Sequence, residues 1–269
     1  MIDQKIAGTG SALRSQFGAA VASAVDEADT LGRPRREGGR VDFEASRDRQ
    51  AVTVDQEVGE GVLVTRSRQV ARSKNGQAIH GVARQQGPNG ITTKQRSVIT
   101  DGKRRPSTVM VQANDSHEGA NGTFQRQSQQ VFNRSKWGGG AVLEQEESST
   151  TRTGALASEG NQLEQDSAKV WGRGKFKTTQ RRTIANNGQE RLVNTSAERK
   201  LGGLLTVHKA EGFATTRSGK MKQVGTSRQV TFGNKTLNLG RQRADRTPPT
   251  RWTPRDATAT RGRLGGRGR

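Results

Sequence analysis

The stretch GVLVTRSRQVARSKNG, residues 61–76, contains the pattern that decides the fold of this 269-residue chain. A run rich in Val, Thr, Arg, Ser and Gln, residues that suit a β-strand, ends in an Asn-Gly pair. Asn-Gly and Asp-Gly pairs favour the positive φ angles that tight hairpin turns need. The stretch therefore predicts one strand followed by one turn.

Similar turns recur along the chain at intervals of about 15 residues, which leaves room for a strand and a turn in each step. The turn glycines are Gly61, Gly76, Gly90, Gly102, Gly122, Gly140, Gly160, Gly174, Gly188, Gly203, Gly219 and Gly233. Five of them follow Asn or Asp and carry the strongest signal: Gly76, Gly90, Gly102, Gly122 and Gly188. We predict an all-β chain, a repetitive antiparallel β-meander or solenoid of about twelve strand-turn units.

Two echoes within the chain indicate a longer repeat. TTKQRSVITDG at 92–102 resembles TTQRRTIANNG at 178–188, and GKFK at 174–177 returns as GKMK at 219–222. These offsets of 86 and 45 residues are consistent with a superunit of about 43 residues that holds three strand-turn steps.

Residues 11–29, SALRSQFGAAVASAVDEAD, predict a short N-terminal helix with Ser11 as its N-cap. The apolar residues recur every four positions and share one face: Leu13, Phe17, Val21 and Val25. The helix either docks on the rest of the protein or is the remnant of an export or partner-binding segment.

We divide the chain into four segments. They are an N-terminal helical segment at 1–30, a basic linker at 31–40, a β-repeat domain at 41–240 and a disordered Arg/Gly/Pro-rich tail at 241–269. Pro and Gly interrupt regular structure in the linker and in the tail. The tail is either a solvated segment that aids solubility or an arm that binds polyanions.

Composition bounds the class of protein. Hydrophobic residues make up only 29% of the chain, so a disordered polycation is the competing interpretation. The regular turn spacing favours a folded chain. With 46 Lys and Arg against 25 Asp and Glu, the net charge of +21 predicts binding to anionic polymers, either polysaccharide or nucleic acid.

The linker and the tail carry the predicted polyanion-binding residues. They are Arg33, Arg35, Arg36, Arg40, Arg241, Arg243, Arg246, Arg251, Arg255, Arg261, Arg263, Arg267 and Arg269. We also expect self-association through sheet edges and no membrane-spanning segment, because no apolar run approaches 20 residues.

Catalytic patterns are weak throughout. The chain contains no Cys, and its three histidines, His80, His117 and His208, are far apart in the sequence. GRGKFKTT at 172–179 lacks the spacing of a phosphate-binding loop, and no carboxylate pair is marked out for acid-base chemistry. We therefore expect no enzyme activity, no cofactor and no metal site.

The segments QQGPNGITTKQRSV, GANGTFQRQSQQVF and IANNGQERLV resemble the strand-turn repeats, with Gly-Pro-Asn-Gly turns, of poorly characterised secreted and cell-surface proteins of bacteria. The resemblance covers about 60–240 and implies a structural or adhesive role in the cell envelope or extracellular matrix, without catalytic residues. The alternative is a non-specific nucleic-acid-binding protein that acts through its tail and linker. We expect a location at the cell surface if a leader precedes this sequence, and in the cytoplasm otherwise.

Overall fold

The computed structural model describes residues 2–33, 39–59, 61–102, 106–135, 140–158, 160–173, 175–216 and 218–239. Two helices, α1 (Ile2–Phe17) and α2 (Ala19–Gly32), come first and are followed by strands only, apart from one 3₁₀ turn at Gly154–Leu156. Residues 34–38 of the predicted linker at 31–40, and the whole predicted tail at 241–269, lie outside the described residues.

Fourteen strands form one open sheet. Their bounds are β1 (Arg40–Ala45), β2 (Arg49–Glu57), β3 (Leu63–Ser73), β4 (Gly76–Gly87), β5 (Gly90–Thr100), β6 (Thr108–Gly119), β7 (Gly122–Arg134), β8 (Ala141–Thr153), β9 (Leu163–Arg173), β10 (Phe176–Asn186), β11 (Arg191–Leu201), β12 (Leu205–Thr215), β13 (Met221–Phe232) and β14 (Lys235–Asn238). Their spatial order equals their chain order, and each described pairing is antiparallel. The predicted all-β meander is confirmed.

Eleven of the twelve turn glycines lie at junctions between consecutive strands, from the β2–β3 junction to the β13–β14 junction, and the twelfth, Gly174, lies outside the described residues. In three Asn-Gly hairpins the Asn is the last loop residue and the Gly is the first residue of the next strand: Gly76, Gly90 and Gly122. Gly90, Gly122 and Gly188 have positive φ, whereas Gly76 is not among the positive-φ glycines. Gly102 belongs to a longer connection, since β5 ends at Thr100 and β6 begins at Thr108.

The 43-residue superunit is wrong. The first echo links β5 with β10, five strands apart, and the second links the starts of β10 and β13, three strands apart. An odd number of steps reverses the strand direction in a meander. In addition, Val98 faces the helices while its counterpart Ile184 faces the opposite side of the sheet. The repeating unit is therefore the single strand with its turn.

The N-terminal helical segment consists of two helices. The helical path is interrupted at Gly18, whose φ is 82° and whose ψ is −171°. Because α1 already begins at Ile2, the predicted N-cap Ser11 lies inside α1. The two helices pack against each other and lie on one face of β3–β7. Of the two predicted alternatives, the structure therefore supports a helical segment that docks on the rest of the protein.

The only extensive core within the described residues lies between the helices and the sheet. Apolar side chains of both layers form it: Ile2, Ile6, Leu13, Phe17, Val21, Val25, Ala28, Val70, Ile79, Val98, Val109 and Phe132. Arginines on the sheet bind α2 and neighbouring strands. Arg66 donates to the carbonyl of Leu31 at 2.8 Å, and Arg96 contacts Glu27 at 2.7 Å and Asp115 at 2.6 Å.

From β9 to β13 no helix of the described residues covers either face of the sheet. A single layer of strands must then shield its backbone with its own side chains. Ile184 and Val193, opposite each other on β10 and β11, are two of its few buried side chains. The sheet therefore has a packed N-terminal half and a single-layer C-terminal half.

Candidate functional site

The sheet face opposite the helices, here called the open face, carries a row of polar side chains across its centre. The pairing registers place in this row Gln69, His80, Ser97, Gln112, Gln129, Glu147, Lys169, Gln180, Ala197, Lys209 and Arg228. Neutral residues occupy the row from β3 to β7, and charged residues appear from β8 onward. The row changes character where the helix layer ends.

Hydrogen bonds link neighbours in the neutral part of the row. His80 Nδ1 lies 2.8 Å from Ser97 Oγ, and the Gln112 amide donates to the Gln129 carbonyl oxygen at 3.0 Å. Burial lowers the pKa of His80, so its imidazole is held in the neutral form. This part of the row is a polar ladder that supports the sheet.

The charged part of the row surrounds a depression of about 440 Å³ on the open face, here called the basic depression. Its positive charges on the open face come from Lys169, Arg182 and Lys209, whereas Arg181, which also lines it, alternates to the opposite face of β10. Strands are spaced by about 4.8 Å, so Lys169 on β9 and Lys209 on β12 are about 14 Å apart along the row. Arg182 on β10 lies between them.

Small side chains form the floor of the depression. Ser167 and Thr195 are the direct cross-strand neighbours of Arg182, and Ala197 separates Gln180 from Lys209. Because none of these side chains is long, the basic side chains rise above a low floor. An extended anionic chain could lie on this floor between the cations.

Ion pairs hold two of the three cations at the rim. Lys169 Nζ lies 3.4 Å from Glu147, and Lys209 Nζ lies 2.9 Å from Glu211. Both lysines remain about half exposed, and such pairs contribute little energy in water. No carboxylate of the described residues pairs with the exposed guanidinium of Arg182, so its planar set of donors is available to an anionic ligand.

The basic depression lies within a basic part of the chain. Residues 160–239 contain fifteen Lys or Arg and five Asp or Glu. Trp171 on β9 also faces the open side, two residues from Lys169, and is half-buried between Gln145 and Thr178. This partial burial between two cross-strand neighbours fits a structural role for the indole.

Only two of the predicted polyanion-binding residues are described. Arg33 follows α2 and forms an ion pair with Asp29, which raises the pKa of its guanidinium. Arg40 begins β1, is largely exposed and lies 3.5 Å from Asp42. Neither residue belongs to the basic depression. The predicted residues Arg35 and Arg36, and all of those from Arg241 to Arg269, lie outside the described residues.

Lys169, Arg182 and Lys209 were not predicted from the sequence because they are separated along the chain and share a face only through the strand register. The alternation of residues within each strand shows which side chains share a face of that strand, but it does not show the register between neighbouring strands.

Within the described ranges, no group of three His, Asp or Glu side chains is placed to hold a metal ion. None of the helices in this part of the chain is both long and apolar enough to cross a membrane. No protein-family model, curated protein or solved structure matches the chain.

Proposed function

We propose that this chain is a non-enzymatic structural or adhesive β-sheet protein of the cell envelope or extracellular matrix that holds anionic polymers on its open face. The observation that carries this proposal is the basic depression, where Arg182 lies between Lys169 and Lys209 with no carboxylate partner among the described residues.

The chemistry of the depression favours binding to anions. Guanidinium and ammonium groups donate hydrogen bonds to sulfate, carboxylate and phosphate oxygens, and such charge-assisted bonds are stronger than neutral ones. The depression is shallow and solvated, so binding relies on several weak contacts along a polymer. Its affinity should therefore fall as salt is added.

The architecture favours a structural role. Thirteen strand spacings of about 4.8 Å give the sheet a width of about 60 Å. Extensive strand contacts occur only between neighbours in the chain, as in repeat proteins that present extended surfaces. The resemblance to cell-surface strand-turn repeats points in the same direction.

The proposal can be tested by titrating the full chain with a fluorescent heparin fragment at several salt concentrations. The double variant Arg182→Gln/Lys209→Gln removes two cations of the depression. The matched control, Lys74→Gln/Lys94→Gln, removes two exposed cations, one at the β3–β4 turn and one on the helix face. We expect about tenfold weaker binding for the first variant and a change below about twofold for the second.

Equal losses for both double variants would show that total charge, rather than the depression, determines binding. A competition between heparin and single-stranded DNA of matched charge distinguishes the two polymer classes. A clear preference for single-stranded DNA would favour the alternative, non-specific nucleic-acid binding. For single-stranded DNA, the magnitude of the slope of log K against log salt should then be about 1.4 smaller in the Arg182/Lys209 variant than in the unaltered chain.

A further inference from the structure

The two edges of the sheet differ in charge. β1 and β14 each pair with one strand only among the described residues, so each leaves one row of backbone donors and acceptors without a strand partner there. The hairpin Arg40–Glu57 holds five acidic and three basic residues. The hairpin Met221–Asn238 holds three basic residues and no acidic one.

The acidic edge is unusual in a chain of net charge +21. Natural sheets often protect their edges with charges that repel a second edge. Here β1, with Asp42 and Glu44 against Arg40, carries net negative charge and β14, with Lys235 alone, carries positive charge, so two copies of the same edge repel each other. A β1 edge and a β14 edge, in contrast, attract each other.

Exposed apolar side chains lie at both edges, as they also do at inner junctions such as those of Phe176 and Leu204. Val41 and Phe43 on β1 are 62% and 58% exposed, whereas Phe232 on β13 and Leu237 on β14 are 63% and 65% exposed. A sheet that ended at these strands would leave this apolar area in water. Pairing with a further strand would bury part of it.

The number of strands makes the two edges compatible. Because the sheet has fourteen alternating strands, β1 of a second copy placed beside β14 continues the antiparallel alternation with the same face turned to the same side. Asp42 and Glu44 lie on the open face, as do Arg228 and Lys235. The joint therefore brings opposite charges together on one face.

We propose that copies of this chain associate head to tail, with the acidic β1 edge of one copy pairing with the basic β14 edge of the next. The interface is heterologous, so each copy added leaves one β1 edge and one β14 edge open, and the assembly grows with concentration. This inference does not depend on polymer binding, since neither edge includes the residues of the basic depression.

Sedimentation velocity of the full chain, freed of nucleic acid and measured over a range of concentrations at about 0.15 M salt, tests the inference. At this ionic strength the Debye length is about 8 Å, so distant positive charges are screened while edge charges in contact still interact. We expect a series of species whose mean mass increases with concentration. A monomer at all concentrations, or a dimer that does not grow, would overturn the proposal.

Two charge-reversed variants identify the edges. Asp42→Lys/Glu44→Lys makes both edges basic, and Arg228→Glu/Lys235→Glu makes both edges acidic. Each variant alone should remain monomeric, and an equimolar mixture of the two should assemble again. The control Glu118→Lys/Glu190→Lys reverses two exposed acids away from the edges and should assemble like the unaltered chain. Assembly of either edge variant alone, or no assembly of the mixture, would show that these edges do not pair.

Discussion

Arg68 on β3 and Asp29 on α2 form an ion pair across the helix-sheet interface, with 3.0 Å between guanidinium and carboxylate. Both side chains are about nine-tenths buried, and Arg68 also contacts Asp3 of α1. One sheet arginine thus fixes both helices. Since the helices provide most of the core, this pair sets their position on the sheet.

Asp29→Ala should lower the free energy of unfolding by about 3 kcal/mol, because Arg68 would keep a buried charge with fewer partners. Asp26→Ala is the control, since Asp26 lies in the same helix and its pair with Arg14 is about two-thirds exposed. The control should cost less than about 1 kcal/mol. Urea unfolding followed by circular dichroism measures both values, and similar costs would contradict the role given to Asp29.

Gly81→Ala should destabilise the protein by about 2 kcal/mol through overpacking. A Cβ at Gly81 would lie 2.6 Å from the carbonyl carbon of Ala28, so α2 would have to move away from β4. Gly8→Ala is the control, because nothing lies within 4 Å of a Cβ there and alanine favours a helix by about 0.5–1 kcal/mol. The two melting temperatures should shift in opposite directions.

Amide hydrogen exchange should be slowest in β4–β6 and faster in β10–β13. The first group lies under α2 and contributes Ile79, Val98 and Val109 to the core, whereas no helix of the described residues covers the second group. Local opening costs less where few apolar contacts are lost. Uniform protection across the sheet would show that the single-layer half is as stable as the packed half.

The melting temperature should fall as the pH is lowered from about 7 to 5.5. Burial lowers the pKa of His80 in the folded protein, so the unfolded chain binds the proton more readily and gains stability as the pH falls through about 6.5. His80→Gln should reduce this dependence without affecting the melting temperature at pH 8. An unchanged pH profile in the variant would exclude His80 as its source.

Deletion of 241–269, which removes nine Arg and two Asp, should weaken polyanion binding and flatten its salt dependence. The melting temperature should not change, because the described core contains no residue of this segment. If the salt slope is unaltered, the tail takes no part in binding.

The strands and their connections were predictable because their signals are local. Glycine and Asn-Gly pairs impose turns on the residues around them, so positions such as Gly61 and Gly233 mark strand junctions without knowledge of any partner. The second half of the helical hairpin was also readable from Phe17, Val21 and Val25. The beginning of α1 was missed because Gly8, Gly10 and polar residues separate Ile6 from Leu13 and interrupt the apolar helical pattern.

The basic depression could not be predicted because it depends on register. Lys169 and Lys209 lie forty residues apart in the sequence. They share one face of the sheet only because of the registers of three successive hairpins, β9–β10, β10–β11 and β11–β12. A shift of one residue in any of these hairpins would turn the following cation to the other face. The linker and tail arginines were predicted instead because they are clustered in the sequence.

A meander in which every strand touches only its neighbours behaves as a molecular ruler. Duplication of one hairpin, such as β11–β12, would add about 10 Å to the width and return the chain in the same direction with its faces unchanged. Addition of a single strand would instead invert every face that follows. Proteins built on this plan can therefore change the width of the sheet in steps of two strands. The same step can be used to set the distance between two engineered binding surfaces.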